Sequence, residues 1–326
     1  MIHLVGVDEA GYGPNLGPLV VAATAWSIPA CDLAVDLYES LASAIAKSPT
    51  PRDPPRIAVA DSKALYKSGG GLRLLERGVL AALRMLGRQP GDWNELLAAA
   101  TADPHGQDPT TPWHSADESL PLAADAAEVA AAADQWNSAC AASGVQLLAV
   151  RARVVQPAEF NDLVAQFGNK GAVLSHLSLQ LARAVVDEML GETTDQPPSP
   201  CFLTFDKHGG RNRYAALLQD CFHENWIEVL CESRAASRYR WHRRGRMLEA
   251  QFRVGGEEEL PAALASMTAK YLRELSMRQL NRFWQSHVPH LAPTAGYPID
   301  ARRFQAEIAD AQRRLRIAGD DLWRSR

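Results

Sequence analysis

The sequence predicts an α/β fold in which helices flank a mixed β-sheet. Strand-like segments occupy the first 26 residues, and strands then alternate with amphipathic helices along the chain. The composition agrees, because 47% of the 326 residues are hydrophobic and 22% are charged, which excludes a wholly disordered chain. The length suits one large domain with insertions or two ordinary domains.

The first elements are predicted to form a hairpin. Residues 2–7 are rich in alternating β-branched side chains and residues 19–26 are almost wholly apolar, so both are predicted strands. The Gly- and Pro-rich segment between them is short and turn-like, which favours antiparallel pairing. Next come a helix at 32–47, a proline break at 50–55, a strand at 57–60 and an amphipathic helix at 71–87.

Residues 88–145 differ in composition from their surroundings. Pro, Asp, Gly and Thr dominate 102–118, and Ala dominates 122–142. We therefore predict an insertion, made of an irregular excursion and one Ala-rich helix. The remaining predicted elements are strands at 145–155, 201–205 and 226–231, and helices at 170–191 with Gly191 as C-cap, 212–222, 260–286 and 303–317.

Several classes of protein are not expected. No run approaches the 18 or so apolar residues of a membrane span, and the first residues do not resemble a signal peptide. The five cysteines are scattered without a CxxC pair, so neither a zinc site nor a disulfide framework is indicated. A cytoplasmic protein is expected.

Charge divides the chain unevenly. Residues 231–326 carry 18 Lys and Arg against 11 Asp and Glu, a net charge of +7, which leaves −11 on residues 1–230. We expect a catalytic core at 1–230 and a basic arm with a C-terminal helical part at 231–326, which would complete the site and bind substrate. A basic face suits a polyanion, although a solvated helical surface is equally consistent with it.

Three acidic residues stand at the ends of apolar strands. Asp8 and Glu9 end the first strand, and Asp206 ends the strand at 201–205. Adjacent residues point to opposite faces of a strand, so Asp8 and Glu9 serve one site only if the backbone turns or bulges there. Carboxylates from separate elements suit Mg²⁺ or Mn²⁺, and two such ions about 4 Å apart can assist phosphodiester hydrolysis. The alternative is that these residues cap a turn and a helix.

The opening segment resembles the first motif of the ribonuclease HII family. It has the sequence Val-Asp-Glu-Ala-Gly-Tyr-Gly-Pro from Val7 and Leu-Gly-Pro-Leu-Val-Val-Ala-Ala from Leu16. Further segments are similar to motifs of that family in the same order: Asp61–Leu65, Pro157–Asn161, Phe205–Asp206, Ala263–Lys270 and Gly296–Pro298.

This resemblance implies a ribonuclease H-like fold and a metal-dependent endoribonuclease. Such an enzyme cleaves the RNA strand of RNA–DNA hybrids and leaves 5′-phosphate and 3′-OH ends. Asp8, Glu9 and Asp206 would be catalytic and would bind Mg²⁺ or Mn²⁺ in a two-metal site. Glu257 is the first candidate for a fourth catalytic carboxylate, and Glu258 and Glu259 are left open. The alternative is that these glutamates stand at a helix start because their negative charge interacts favourably with the helix dipole. The implied substrate-binding residues are Gly11, Tyr12, Gly13, Asp61, Ser62, Lys63, Ser266, Lys270 and Tyr297.

Two departures from the family pattern bear on specificity. The family's Gly-Arg-Gly is Gly11-Tyr12-Gly13 here, and tyrosine cannot make the bidentate phosphate contact of arginine, so strict junction specificity is not expected. The longer stretch 234–253 holds seven arginines with Tyr239 and Trp241, a pattern typical of phosphate contact and base stacking. Its alternative is a solvated hairpin that pairs with the acidic body.

The expected partner is therefore an RNA–DNA hybrid, bound by a monomer without a membrane or an organic cofactor. Three alternatives stay open. They are a non-catalytic nucleic-acid-binding homologue, a nuclease of the superfamily that acts on DNA or junctions, and a structural or partner-binding role centred on the insertion.

Overall fold

A computed structural model describes residues 1–29, 36–50, 55–66, 71–101, 111–114, 117–190 and 199–325. Within these ranges a seven-stranded sheet forms the centre of the fold. Its strands, numbered in chain order, are β1 (Ile2–Ala10), β2 (Leu19–Ile28), β5 (Gln146–Val155), β6 (Cys201–Asp206), β7 (Glu228–Glu232), β8 (Ala236–Arg243) and β9 (Arg246–Arg253). The short strands β3 (Ile45–Ala46) and β4 (Ile57–Ala58) pair with each other.

Helices surround this sheet, and none of the described ones is long and apolar enough to cross a membrane. They are α1 (Leu37–Ser40), α2 (Ser62–Leu65), α3 (Gly71–Met85), α4 (Trp93–Ala100), α5 (Ala126–Ser143), α6 (Pro157–Phe167), α7 (Lys170–Leu190), α8 (Ala215–Cys221), α9 (Leu260–His287) and α10 (Pro298–Leu315). A 3₁₀ turn, Gly256–Glu258, precedes α9.

The sheet is mixed, and the predicted α/β class is confirmed. Its strand order is β5-β2-β1-β6-β9-β8-β7. The predicted β1–β2 hairpin is antiparallel, whereas β1 and β6, and β6 and β9, run parallel. The carboxyl ends of β1, β6 and β9 consequently meet at one edge, where α/β proteins usually place their sites.

Two helical layers bury the two faces of the sheet. Helix α9 packs with α3 and α5 on one face, and α7 packs on the other. All ten residues of β2 are buried because this strand lies between both layers. The predicted C-terminal helical region is present, since the later turns of α9 and α10 share a third core around Trp284 and Phe304.

The predicted insertion joins the main core. Its Ala-rich helix is α5, which Asp125 caps at the N-terminus and a left-handed Gly144 ends. Helix α4 was not predicted. The buried carboxylate of Glu76 on α3 accepts the peptide N–H groups of residues 122–124 and the hydroxyl of Tyr271, which ties the insertion to α3 and α9.

Some expected boundaries differ from the structure. The helix expected at 32–47 is limited, among described residues, to α1, and its last residues form β3 instead. The basic stretch 234–253 forms β8 and β9, which extend the central sheet, and the expected boundary at residue 231 lies inside β7. The expected cap Gly191 and most of the excursion at 102–118 lie outside the described residues.

Candidate active site

Two parallel strands bring Asp8 and Asp206 side by side. Val7 of β1 lies opposite Phe205 of β6, so the next residue of each strand is an aspartate. Adjacent strands are about 4.8 Å apart. Val7 and Phe205 both point into the core beneath α7, so the alternation of side chains places both aspartates on the opposite face, beside α9.

A glycine in β1, Gly6, lets the backbone of α9 approach this strand closely. A Cβ on Gly6 would lie 2.0 Å from the backbone nitrogen of Ala262, so only glycine permits this contact. One turn further along α9, the hydroxyl of Ser266 lies close enough to Asp8 to lower the pKa of that carboxyl. Ser266 Oγ also lies 3.0 Å from Ser62 Oγ and accepts the Ser62 N–H at 3.3 Å. These contacts couple α2, α9 and β1 at the site.

Glu9 reaches the site without the expected bulge. Strand β1 keeps a regular register with β2 through Ala10, so the predicted turn or bulge at Asp8 and Glu9 is wrong. Alternation directs Glu9 to the face covered by α7, opposite to Asp8. Because both residues lie at the end of the strand, Glu9 still interacts electrostatically with Asp8 and Asp206.

The 3₁₀ turn adds a fourth carboxylate. The N–H groups of Gly255 and Gly256 lie 3.2 and 3.5 Å from Asp206 Oδ1, which fastens the turn to the end of β6. A Cβ on Gly256 would lie 2.8 Å from the backbone nitrogen of Asp206. This close approach places Glu257 beside Asp206, and the two carboxylates repel each other.

Ion pairs distinguish Glu257 from its two neighbours. Arg253 pairs with Glu258 at 3.0 Å and with Glu259 at 3.1 Å, and Glu259 also accepts the hydroxyl of Thr204 at 2.8 Å. In the described part of the chain, Glu257 Oε2 is buried without a hydrogen-bond partner. The geometry therefore favours Glu257 as the carboxylate that faces the cluster.

The carboxyl groups of the cluster have raised pKa values, caused by burial and by one another's charge. Burial, with the charges of Asp206 and Glu257, raises the pKa of Asp8 to about 7 against the opposing hydrogen bond from Ser266. Burial, with the charges of Asp8 and Asp206, raises the pKa of Glu9 to about 8. Burial also raises the pKa of Glu257. Such a cluster is stabilised by a bound cation.

The donor chemistry of this cluster fits a hard divalent cation. Every candidate ligand is a carboxylate oxygen, which Mg²⁺ and Mn²⁺ prefer, and the buried Glu257 Oε2 is an acceptor that lacks a protein donor among the described residues. As the described side chains stand, no group of three or more His, Cys, Asp or Glu is arranged to hold a metal ion. A cation bound at this edge would require the carboxylate side chains to change rotamer.

Basic and aromatic groups border the carboxylates. Asp61 caps α2 by accepting the N–H of Lys63 at 3.1 Å. Burial lowers the pKa of Lys63, but the negative charges of Asp61, Asp8 and Glu9 raise it by more, so the net shift is upward. On the other side, Lys170 Nζ lies 5.0 Å from the centre of the Tyr12 ring. Burial and Glu9 raise the pKa of Tyr12, while Arg211 opposes this.

The glycine turn at residues 11–17 lies next to the proposed carboxylates. Gly11 has φ +91°, and a Cβ there would lie 2.5 Å from Arg273 Nε. Gly13 is exposed, and a Cβ on it would lie 3.8 Å from the ring of Tyr297, which is itself 54% exposed. The Gly11–Gly13 segment and Tyr297 therefore form one accessible surface.

Lys270 and the aromatic residues of the basic stretch were also expected to contact substrate. Lys270 pairs with Glu274 at 2.6 Å and its ammonium lies 4.8 Å from the Tyr66 ring, one turn beyond Ser266. The expected stacking by Tyr239 and Trp241 is wrong, because both rings are buried in the core beneath α7.

The basic stretch is also largely neutralised. Arg238 and Arg240 share Glu249, and Arg243 pairs with Asp187 and Glu224. The Arg243 pairs match the alternative of a hairpin paired with the acidic body, whereas Glu249 belongs to the hairpin itself. Sequence reasoning did not identify Lys170, Arg211, Arg273 or Arg324 near the site, since nothing in their local pattern distinguishes them from surface cations.

Comparisons with known proteins give matches in structure only. No family model matches the sequence, and no curated protein matches it. Structures similar to this chain are ribonuclease H2 from Pyrococcus horikoshii (14% identity, TM-score 0.44, 98% of this chain and 92% of that one), RNase HII from Archaeoglobus fulgidus in a complex with PCNA (14%, 0.42, 100% and 95%), and Bst-RNase HIII in complex with Mn²⁺ (14%, 0.43, 99% and 66%).

Proposed function

We propose that this chain is a Mg²⁺- or Mn²⁺-dependent endoribonuclease that cleaves the RNA strand of RNA–DNA hybrids. One observation carries the proposal: Asp8 and Asp206 lie side by side at the ends of parallel strands, with Glu9 and Glu257 within electrostatic reach. Carboxylates gathered at this cost in burial and in mutual repulsion indicate a cation site rather than isolated caps. The sequence motifs that resemble ribonuclease HII contain these same residues.

Asp8, Glu9 and Asp206 would hold the metal ions. When bound, these ions act as Lewis acids on the scissile phosphate and lower the pKa of the attacking water. Ser266 lies beside Asp8 and favours its charged form, and the two glycine N–H groups fix one oxygen of Asp206. Burial and Asp206 raise the pKa of Glu257, which lies beside Asp206, and we assign it the role of giving a proton to the leaving 3′ oxygen.

The neighbouring groups would bind the nucleic acid. Lys63 lies on one side of the carboxylates and Lys170 and Arg211 lie on the other, so phosphates on either side of the cut would meet a cation. Gly13 and the exposed Tyr297 ring offer a backbone and an aromatic surface to the sugar and base. With Tyr12 in place of arginine, we expect cleavage within long hybrids as well as at junctions.

A cleavage assay tests this proposal. Wild type and the Asp8→Asn variant are incubated with end-labelled RNA–DNA hybrid, double-stranded DNA and single-stranded RNA, with Mg²⁺, Mn²⁺ or EDTA. We expect metal-dependent cutting of the hybrid RNA strand by wild type alone, with 3′-OH products. Equal cutting by both proteins, or none by either, contradicts the proposal. Hybrid binding without turnover would indicate a non-catalytic binding protein, and cutting of DNA would indicate a DNA nuclease.

A further inference from the structure

Two buried arginines hold the glycine turn (residues 11–17) from behind. Arg273 of α9 and Arg324 are 2% and 5% exposed. Arg324 Nη2 donates to the carbonyl oxygens of both Gly11 and Pro14. Arg273 Nη2 lies 3.1 Å from the Ala295 carbonyl oxygen and 3.5 Å from that of Leu16. The turn is thus fixed by segments more than 250 residues away in sequence.

The segment that carries Arg324 is itself anchored on both sides. Its backbone N–H donates to the Asn15 carbonyl at 2.9 Å, and Trp323 pairs with Leu16 in an antiparallel bridge. On the other side, the side chain of Asn161 donates to the Trp323 carbonyl at 2.8 Å and accepts the Ser325 N–H at 2.6 Å. The backbone of Arg324 is therefore held in place on both sides, which fixes the position from which its guanidinium group contacts the turn.

These contacts determine which way the turn presents its peptide groups. In a planar trans peptide the C=O and N–H point in opposite directions. Because the Gly11 carbonyl turns inward to Arg324, the N–H of Tyr12 in the same peptide points away from Arg324. Gly11 adopts φ +91°, a conformation that other residues rarely hold, so the orientation depends on both the glycine and the arginine.

The charge of this pair is poorly compensated within the described residues. Arg324 has no ion-pair partner there, and its Nε and Nη1 lack hydrogen-bond acceptors, as does Arg273 Nε. Glu274 lies 3.7 Å from Arg273 Nη1. A buried, unpaired cation lowers stability, so a role confined to packing would be served better by an apolar side chain. Positive charge directly behind the turn favours a polyanion in front of it.

We propose that Arg324 is a positioning residue for substrate binding: by holding the Gly11 carbonyl it orients that peptide so that the Tyr12 N–H faces the nucleic acid. The inference rests on the proposed function, since it assigns the turn to the substrate interface. Arg324 touches neither the substrate nor the carboxylates. Its loss therefore acts on substrate affinity and leaves the metal ligands in place.

The test compares Arg324→Gln and Arg324→Lys with Arg313→Gln, which removes an exposed arginine on α10. Three quantities are measured: KM and kcat on the hybrid, amide hydrogen exchange at residues 11–17, and the Mn²⁺ concentration that gives half of the thermal shift. For Arg324→Gln we expect KM to rise about tenfold with kcat within about threefold of wild type. Exchange in the turn should accelerate about tenfold or more, while the Mn²⁺ midpoint stays within about twofold. Arg324→Lys should recover part of the affinity, and Arg313→Gln should match wild type.

Hydrogen exchange separates this inference from the proposed function. If wild type cuts no hybrid, the function fails, whereas faster exchange in the turn of a folded Arg324 variant still supports the positioning role. Exchange and KM equal to wild type in Arg324→Gln would overturn the inference. A purely structural role would lower the melting temperature and leave the KM of the folded protein unchanged, which also overturns it. Should Arg324→Gln fail to fold, Arg324→Lys carries the same comparison.

Discussion

Replacing Asp8 with asparagine should stabilise the metal-free protein while it abolishes cleavage. The pKa of Asp8 is raised from 3.8 to about 7, chiefly by burial and further by Asp206 and Glu257. Asparagine has nearly the same shape and keeps one oxygen that can accept a hydrogen bond. It removes the charge that is unfavourable in this position. Activity should be lost because one of the proposed metal ligands becomes neutral.

The size of the effect follows from the linkage between protonation and folding. A rise of about three pKa units corresponds to roughly 4 kcal/mol once Asp8 is ionised in both states. The pKa of Glu9 lies in the same range and the two titrations are coupled, so the gain from replacing Asp8 alone is about 2–4 kcal/mol. For a chain of this length that is a rise of roughly 3–8 °C in melting temperature.

The raised pKa of Asp8 determines how stability should change with pH. In the unfolded chain Asp8 loses its proton near pH 4, whereas in the folded protein it keeps the proton up to about pH 7. The free energy of unfolding of wild type therefore falls as pH rises from about 4 to 7 and is then level with respect to this group. The advantage of Asp8→Asn should be absent at pH 4, grow through pH 6 and be complete at pH 8.

Thermal unfolding monitored by circular dichroism in EDTA, from pH 4.5 to pH 8.5, measures this difference directly. A parallel series with Mg²⁺ should narrow the gap at pH 8, because the cation stabilises wild type more than the variant. An Asp8→Asn protein that is no more stable than wild type at pH 8 in EDTA, or a gap that is the same at every pH, would refute the reasoning.

Three other substitutions test the site and its scaffold. Glu257→Gln should lower kcat about 100-fold or more, whereas Glu258→Gln, which removes only an exposed ion pair, should leave steady-state cleavage near wild type. Gly6→Ala should cost about 3 kcal/mol or more, because the added methyl group meets the α9 backbone, while Gly210→Ala, with open space around it, should keep the melting temperature within about 1 °C. Glu76→Ala leaves buried N–H groups without an acceptor and should lower the free energy of unfolding by about 3–5 kcal/mol. Residues 117–145 should be proteolysed faster in this variant than in Glu76→Gln. Equal protection of both variants would show that the carboxylate does not hold the insertion in place.

Local patterns predicted the elements that are long and strongly periodic. The β1–β2 hairpin and the helices α3, α7 and α9 lie within a few residues of their expected bounds. The helix expected at 32–47 failed because Ile45 and Ala46 form a strand with Ile57 and Ala58, a pairing that no local pattern reveals. The strands β8 and β9 were not recognised in the sequence, because their many arginines suggested an exposed surface. In the structure, alternate residues of both strands are buried.

The candidate site was predictable in its residue types and not in its details. Strand-end position and family motifs identified Asp8, Glu9 and Asp206, and the structure brings them to one edge. Choosing Glu257 from three successive glutamates required knowledge of where Arg253 lies, since that arginine pairs with the other two. The bulge expected at Asp8 is absent because two residues at a strand end can share one edge without any change of register.

Arg324 shows why supporting residues escape sequence analysis. In the sequence it is one of 18 basic residues in the last third of the chain. Its burial and its contacts with Gly11 and Pro14 depend on two segments that meet only in the folded protein. Charge counts treat such a residue as surface, so its role is visible only once the packing is known.

The wide separation of Asp8, Asp206 and Glu257 along the chain has a consequence during synthesis. If the proposed function holds, a growing polypeptide has the full acidic set only after residue 257 has been made, so shorter chains should not cleave hybrids. On the same proposal, two fragments, one with Asp8 and the other with Asp206 and Glu257, should cleave hybrids only where they reassociate through the β1–β6 pairing.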